Sequence, residues 1–293
     1  FFTNFNYNGT LLTSLPANSF NTTNITTVGN GFFSGFIRGG TITELPAGSF
    51  NTSNITIVGT NFFSTFNYNG FLTKLPDYSF SLNSSLNTVG NGFFTNFNYN
   101  GKLASLPGNS FNTSAITTVG DDFFSYFNAQ GSLTSLPASS FSFNSSLVKV
   151  GANFFTGFNA QGSLTSLPAN SFNTTAITTV GTGFFAGFNY VGSLTELPDY
   201  SFNTVNIATT TCTSFFINFN FNGGIVTIPA SFAWPSTCFS SSYEYAFASG
   251  SIGTPNRTAA SIVGSISPVP TYNTNCFSSN WSDWNSLNAN WQN

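Results

Sequence analysis

The chain has 293 residues, with five basic and eight acidic side chains and no histidine or methionine. A net charge of −3 excludes the basic footprint of a nucleic-acid binder and a polybasic membrane patch. Charged residues make up 4% of the chain against ~25% in ordinary soluble domains, yet 38 Phe supply ample material for a core, which argues against disorder.

The chain opens inside a phrase that it then repeats. Phe-Phe pairs begin at 1, 32, 62, 93, 123, 154, 184 and 215, and a Gly follows each first Phe by eight positions. Five positions after that Phe stands Asn (6, 67, 98, 128, 159, 189, 220), except in the second copy, which has Ile37. The Pro of Leu-Pro recurs at 16, 46, 76, 107, 137, 168 and 198, with an Ile-Pro variant at Pro229. Spacings of 30 and 31 predict a stacked solenoid of about eight rungs over residues 1–232. Half-units of about 13 and 17 residues are the smaller alternative, and rungs seldom close in so few residues.

Within one repeat, Leu-x-x-Leu and Ile-x-x-Val read as short Thr-rich strands ended by Pro or Gly. The stretch Asn30–Phe36 spaces aromatics at i, i+1 and i+4, which predicts one helical or 3-10 turn pressing Phe inward. Asn-Gly pairs such as Asn69-Gly70 supply positive-φ corners, and the recurring Asn is expected to stack as an amide ladder. The fold class expected is therefore mainly β: a leucine-rich-repeat-like solenoid with short helical turns.

From about Ala230 the phrase decays. Residues 233–293 read as a cap, Ser- and Gly-rich through Ser267-Pro268-Val269-Pro270 and irregular there. Trp281, Trp284, Leu287 and Trp291 then fall at helical spacing behind Ser279 or Asn280 as N-caps, predicting a short amphipathic helix over the last rung. Its sharper reading is an aromatic sugar platform. The three cysteines, Cys212, Cys238 and Cys276, all sit in this last third. An odd count leaves one unpaired or intermolecular. Cys212–Cys238 would close a loop of about 26 residues and stiffen it by roughly 3 kcal/mol; Cys238–Cys276 is the open alternative.

The phrase LTSLP…SF…ITTVGNGFF resembles the BspA-type leucine-rich repeats of bacterial surface proteins. Leu12, Leu15, Pro16, Ile25, Val28, Gly29 and Phe33 fall on that pattern, and the match recurs to about residue 232. The unit here is longer, with Phe-Phe in place of Ala-Phe and Phe36 in place of Cys. The resemblance implies adhesion and surface display, with no catalytic residues to carry over.

Chemistry-bearing candidates are few. The missing histidine removes the commonest general base and metal ligand. The spacings of the three cysteines fit no zinc pattern. Stacking the rungs sets Glu44 against Lys74 as an exposed pair worth ~0.2–1 kcal/mol. Asp121-Asp122 reads as a solvated turn, because no third carboxylate falls nearby for calcium. Glu196 and Asp199 share one rung, but Asp77 repeats the same Asp beside Lys74, which is turn chemistry. Sequons such as Asn21, Asn51, Asn112, Asn173 and Asn256 follow from composition. Thr26-Thr27, Thr117-Thr118 and Thr178-Thr179 would form a hydroxyl array, interrupted at Asn87 and Val148-Lys149.

No catalytic, metal or cofactor site is expected. The chain reads as a non-enzymatic extracellular, cell-surface scaffold or adhesin without membrane insertion, since no run approaches ~18 apolar residues. Its rivals are a glycan-binding module using the C-terminal Trp residues and an ice- or mineral-binding surface. Assembly is a further expectation. Phe1, Phe2 and Phe5 open a rung without the strand phrase before it, and Trp281, Trp284 and Trp291 lie at the other end. Partners expected are another copy in a head-to-tail filament, other surface proteins, or host glycans.

Overall fold

The computed structural model describes residues 2–292, except 18, 21, 47, 48, 50, 51, 77–81, 109, 139, 170, 209–212, 233, 235–242, 244, 249–254, 264–274 and 288. Phe1, Cys212, Cys238, Asp77, Asn21, Asn51 and the Ser267–Pro270 stretch lie outside the described residues.

The repeats stack in the 30/31 register of the sequence. Phe33, Phe63, Phe94, Phe124, Phe155, Phe185 and Phe216 form one column, with successive ring centroids 5.6, 5.7, 5.5, 5.4, 5.1 and 5.0 Å apart. Phe36, Phe66, Phe97, Phe127, Phe158, Phe188 and Phe219 form a second, at 5.5 to 5.1 Å. A third column starts from the first Phe of each pair, and its rings meet the second Phe edge-on, as in Phe123–Phe124 at 4.4 Å and 89°. Offset-stacked rings along the stack and T-shaped rings across it are the two arrangements that aromatic quadrupoles favour. Nearly all these rings are fully buried.

The Phe-Phe segment is not a helical turn. In the rung that follows Asn61, the N–H groups of Asn61, Phe63, Thr65 and Asn69 donate to carbonyls of the next rung at 2.7–2.9 Å, and Asn67 N–H donates back to Phe36 of the previous one. The intervening N–H groups of Ser64, Phe66, Tyr68 and Gly70 close turns onto the carbonyl three residues earlier. Asn61, Thr65, Asn67 and Asn69 have φ of 56°, 55°, 53° and 52°. A backbone that keeps returning to positive φ cannot propagate a 3-10 or α-helix. It turns its N–H groups alternately inward and toward the neighbours, so every rung is tied to the next.

The expected strands are likewise reduced. Among the described residues the Leu-x-x-Leu and Ile-x-x-Val segments meet only as isolated parallel bridges, including Glu44–Lys74, Thr88–Thr118, Lys149–Thr179 and Glu196–Thr227. Extended pairing stops because Pro or Gly ends each segment. The Pro then opens a turn: Ser110, Ser140 and Ser171 N–H donate to Pro107, Pro137 and Pro168 carbonyls.

The Asn ladder forms and is buried. Asn67 Nδ2 donates to Asn98 Oδ1 at 2.8 Å, and the chain runs on through Asn128, Asn159 and Asn189 to Asn220 at 2.8–3.2 Å. Each amide also clamps the backbone five residues on, as Asn128 does at Leu133. Gly131 must lack a side chain here: a Cβ would sit 2.2 Å from Asn128 Oδ1 and 2.4 Å from the Asn98 carbonyl oxygen. Where Ile37 replaces the amide, Asn6 Nδ2 is left buried with no hydrogen-bond partner.

The C-terminal segment is less irregular than its sequence suggests. Asn220 and Asn222 N–H donate to Ala246 and Ala248, Phe247 N–H donates to Cys276, and Phe277 N–H donates to Trp291. Phe247 and Phe277 stack at 5.9 Å and 4°. These residues add further layers to the stack. A short helix α1 (Ala259–Val263) lies between them, its first N–H groups capped by the Asp283 carboxylate at 2.8 Å. The amphipathic helix expected behind Ser279 or Asn280 is absent. Two 3-10 turns, Trp284–Ser286 and Ala289–Trp291, take its place, because the indoles fold back onto the last layers.

Candidate functional site

The sequence-selected carboxylates are dispersed. Glu44 and Lys74 form the expected ion pair at 3.0 Å, with both side chains about three-fifths exposed. Asp121 serves its corner: Oδ1 accepts from Ala152 N–H at 2.7 Å, and its own N–H donates to Asn91 Oδ1. Asn30 does the same for Thr60. Glu196 and Asp199 line one open cleft of about 510 Å³ with Pro198 and the exposed Tyr200. Among the described residues no three potential ligands gather for a metal ion.

Several sequon asparagines are used internally. Asn112 and Asn173 side chains accept from the N–H two residues on, as Asx-turns. Asn256 exchanges two bonds with the Ile228 backbone.

The terminal aromatics are core residues. Trp281 and Trp291 are each 3% exposed, against Phe247, Phe277 and Trp234. Trp284 is half-buried and donates its indole N–H to the Phe277 carbonyl. A sugar platform needs an open indole face, and Trp281 and Trp291 present none. Phe2 and Phe5 are half-buried and stack on Phe33 and Phe36 at 5.6 and 5.1 Å. Cys276 is a free, fully buried thiol that burial pushes well above its usual value, with backbone hydrogen bonds at Ala246 and Phe247 opposing. Burial likewise raises Tyr243 strongly. A proton-transfer role at either would need solvent that neither reaches.

One surface feature escapes a motif search. Six positions after each first Phe stand Tyr7, Arg38, Tyr68, Tyr99, Ala129, Ala160, Tyr190 and Phe221. Tyr68 and Tyr99 stack at 4.8 Å, as do Tyr190 and Phe221 at 5.4 Å, and the Arg38 guanidinium lies over Tyr7 and Tyr68 at 5.2 and 5.0 Å. The column breaks at Ala129 and Ala160. Beside the break opens a cleft of about 270 Å³ whose lining includes Tyr126, Gly157, Ala160, Gly187, Tyr190 and Asn218. Aligning the repeats on Phe-Phe would have exposed this column, since its residues vary where the core does not.

Tyr126 is unusual in its own column. The positions three after each first Phe are Asn4, Gly35, Thr65, Asn96, Tyr126, Gly157, Gly187 and Asn218, and all have φ between 55° and 68°. Tyr126 alone among them is aromatic, held at φ 55° with its ring against Gly157, where a Cβ would meet it at 2.4 Å. Neither family models, nor curated proteins, nor solved structures give a match to this chain.

Proposed function

We propose that the chain is a non-enzymatic repeat protein of the cell surface, serving as a structural or adhesive scaffold. The observation that carries this reading is the unbroken amide ladder from Asn67 to Asn220, flanked by continuous Phe columns. The recurrent Asn and the Phe columns hold one rung to the next, which suits a part whose product is a stiff shape. A chain with 4% charged residues responds little to salt or pH, which suits an extracellular setting. The same scarcity of charge does little to repel a second copy, so head-to-tail self-association belongs to the proposal. So does the likeness of Leu12, Leu15, Pro16, Ile25, Val28, Gly29 and Phe33 to BspA-type repeats, with the bridge columns as the vestige of short parallel strands.

The test is immunogold labelling of unpermeabilised source cells with an antibody to this chain, beside a strain lacking it. Label at the envelope, with loss of attachment or of a surface layer in the deletion strain, is expected. Label confined to the interior overturns the reading. So does turnover of any substrate by the purified chain that is lost on substituting Glu196 or Asp199.

A further inference from the structure

Beside the broken tyrosine column the repeat departs from its own pattern at Tyr126, Ala129 and Ala160. Tyr126 and Tyr190 stand on rungs two steps apart, on the order of 10 Å at β-type spacing. The rung between them offers only Gly157 and Ala160 at the corresponding positions. Elsewhere the surface column is filled by rings or by a guanidinium stacked on rings. Here two rings of the column are missing, at Ala129 and Ala160, and the gap at Ala160 is open to solvent.

The second observation is the ring of Tyr126 itself. Other bulky residues of the stack, among them Phe111, Phe141, Phe172 and Val191, also stand at positive φ, so what sets Tyr126 apart is a large ring in a column of small residues. Asn, Gly or Thr fill every other position of that column. Tyr126 accepts the strained backbone and remains 43% exposed, so its ring is held at the surface rather than used to fill the core.

We propose that this cleft binds a pyranose ring of a neutral glycan, with its C–H face against Tyr126 and Tyr190 and its hydroxyls toward the Asn218 amide and water. None of the lining residues named above carries a charge, which removes the attraction that a phosphate, sulfate or carboxylate ligand would need. A cleft of about 270 Å³ has room for one sugar ring. Aromatic walls with a single amide at the rim match a ligand that is apolar on its faces and polar at its edge. A purely apolar ligand would leave the amide unpartnered and desolvated. The proposal stands apart from the scaffold reading: an inert cleft on a true surface scaffold, or a sugar site on a chain with another role, would each be visible as such.

The experiment uses the whole chain and a panel of glucose, galactose, mannose, N-acetylglucosamine and their short 1,4-linked oligomers, read by saturation-transfer NMR and calorimetry. At least one sugar is expected to bind at millimolar concentration or below. Tyr190→Ala and Tyr126→Asn are expected to weaken it by about tenfold or more, as loss of an anchoring aromatic does. Ala160→Tyr, which puts a ring into the cleft beside Tyr190, is expected to abolish binding while the chain melts as the parent does. Tyr126→Asn relieves the strained backbone, so a misfolded protein is not a route to the loss. Absence of binding by every panel member overturns the proposal. Binding that survives both Ala160→Tyr and Tyr126→Asn overturns it equally, by placing the sugar elsewhere.

Discussion

The rungs between Asn67 and Asn220 and the layers beyond them are built on the same plan by different means. In the first region each layer has stacked Phe rings and a buried amide that bonds its neighbour and its own backbone. In the second, Phe247 and Phe277 keep the stacking and the interlayer backbone bonds, but the amide column is gone. Asn220 ends it by donating to the Gly223 and Ile225 carbonyls. Stacked rings therefore suffice to continue the pile, whereas the amide column must begin and end on satisfied partners. At the other end Asn6 shows the alternative: with Ile37 above it, a buried donor has nothing to bond.

The largest way to break the first region is to remove a ring that touches several columns. Phe124 contacts Phe94, Phe155, Phe123, Phe141 and Phe127. Phe124→Ala is expected to destabilise by about 3–5 kcal/mol in denaturant titration. Asn128→Leu should follow at about 3 kcal/mol, because it takes from Asn98 Nδ2 one of its two acceptors and orphans both Leu133 backbone groups in a dry core. Hydrogen exchange in that variant should rise on the rungs either side and leave Phe277 unchanged.

The second region is expected to be the pH-sensitive one. Cys276 and Tyr243 both hold their protons more tightly when folded than when unfolded. Their contribution to stability is complete below the unfolded values, about 8.5 and 10, and is lost as pH rises through them toward the folded values. Each group then removes about 1.4 kcal/mol per pH unit. Thermal melts from pH 8 to 11 should show this fall, and Cys276→Ala should remove the earlier part of it. The smallest effect sharpens the comparison from the other end. Ile37→Asn would give Asn6 its acceptor and extend the column downward, for a gain of about 1 kcal/mol measured as a raised midpoint.

The period, the Phe columns, the amide ladder and the Glu44–Lys74 pair were legible because each depends only on which residue types recur in register. The backbone path was not. Positive φ at Thr65, Ile37, Tyr126 and Val191 is imposed by stacking onto neighbours that favour it, and no local propensity announces it. For that reason a helical turn and two strands were expected where alternating turns and single bridges stand. The added C-terminal layers had a faint signal in Tyr-Ala-Phe247 and Asn-Cys-Phe277, 30 residues apart, which the surrounding Ser and Gly obscured. The tyrosine column was missed because exposed positions vary, and a search for recurrence passes over variation.

The amide ladder also gives the stack an electrical direction. Backbone bonds between rungs run both ways: Phe63 donates forward to Phe93, while Asn67 donates back to Phe36. Their dipoles largely oppose. Within the buried ladder the amides of Asn67, Asn98, Asn128, Asn159 and Asn189 all donate forward, so these moments add along the axis in a low-dielectric interior. Two such stacks lying flank to flank are lower in energy when they point in opposite senses, and a sheet of them would alternate polarity row by row.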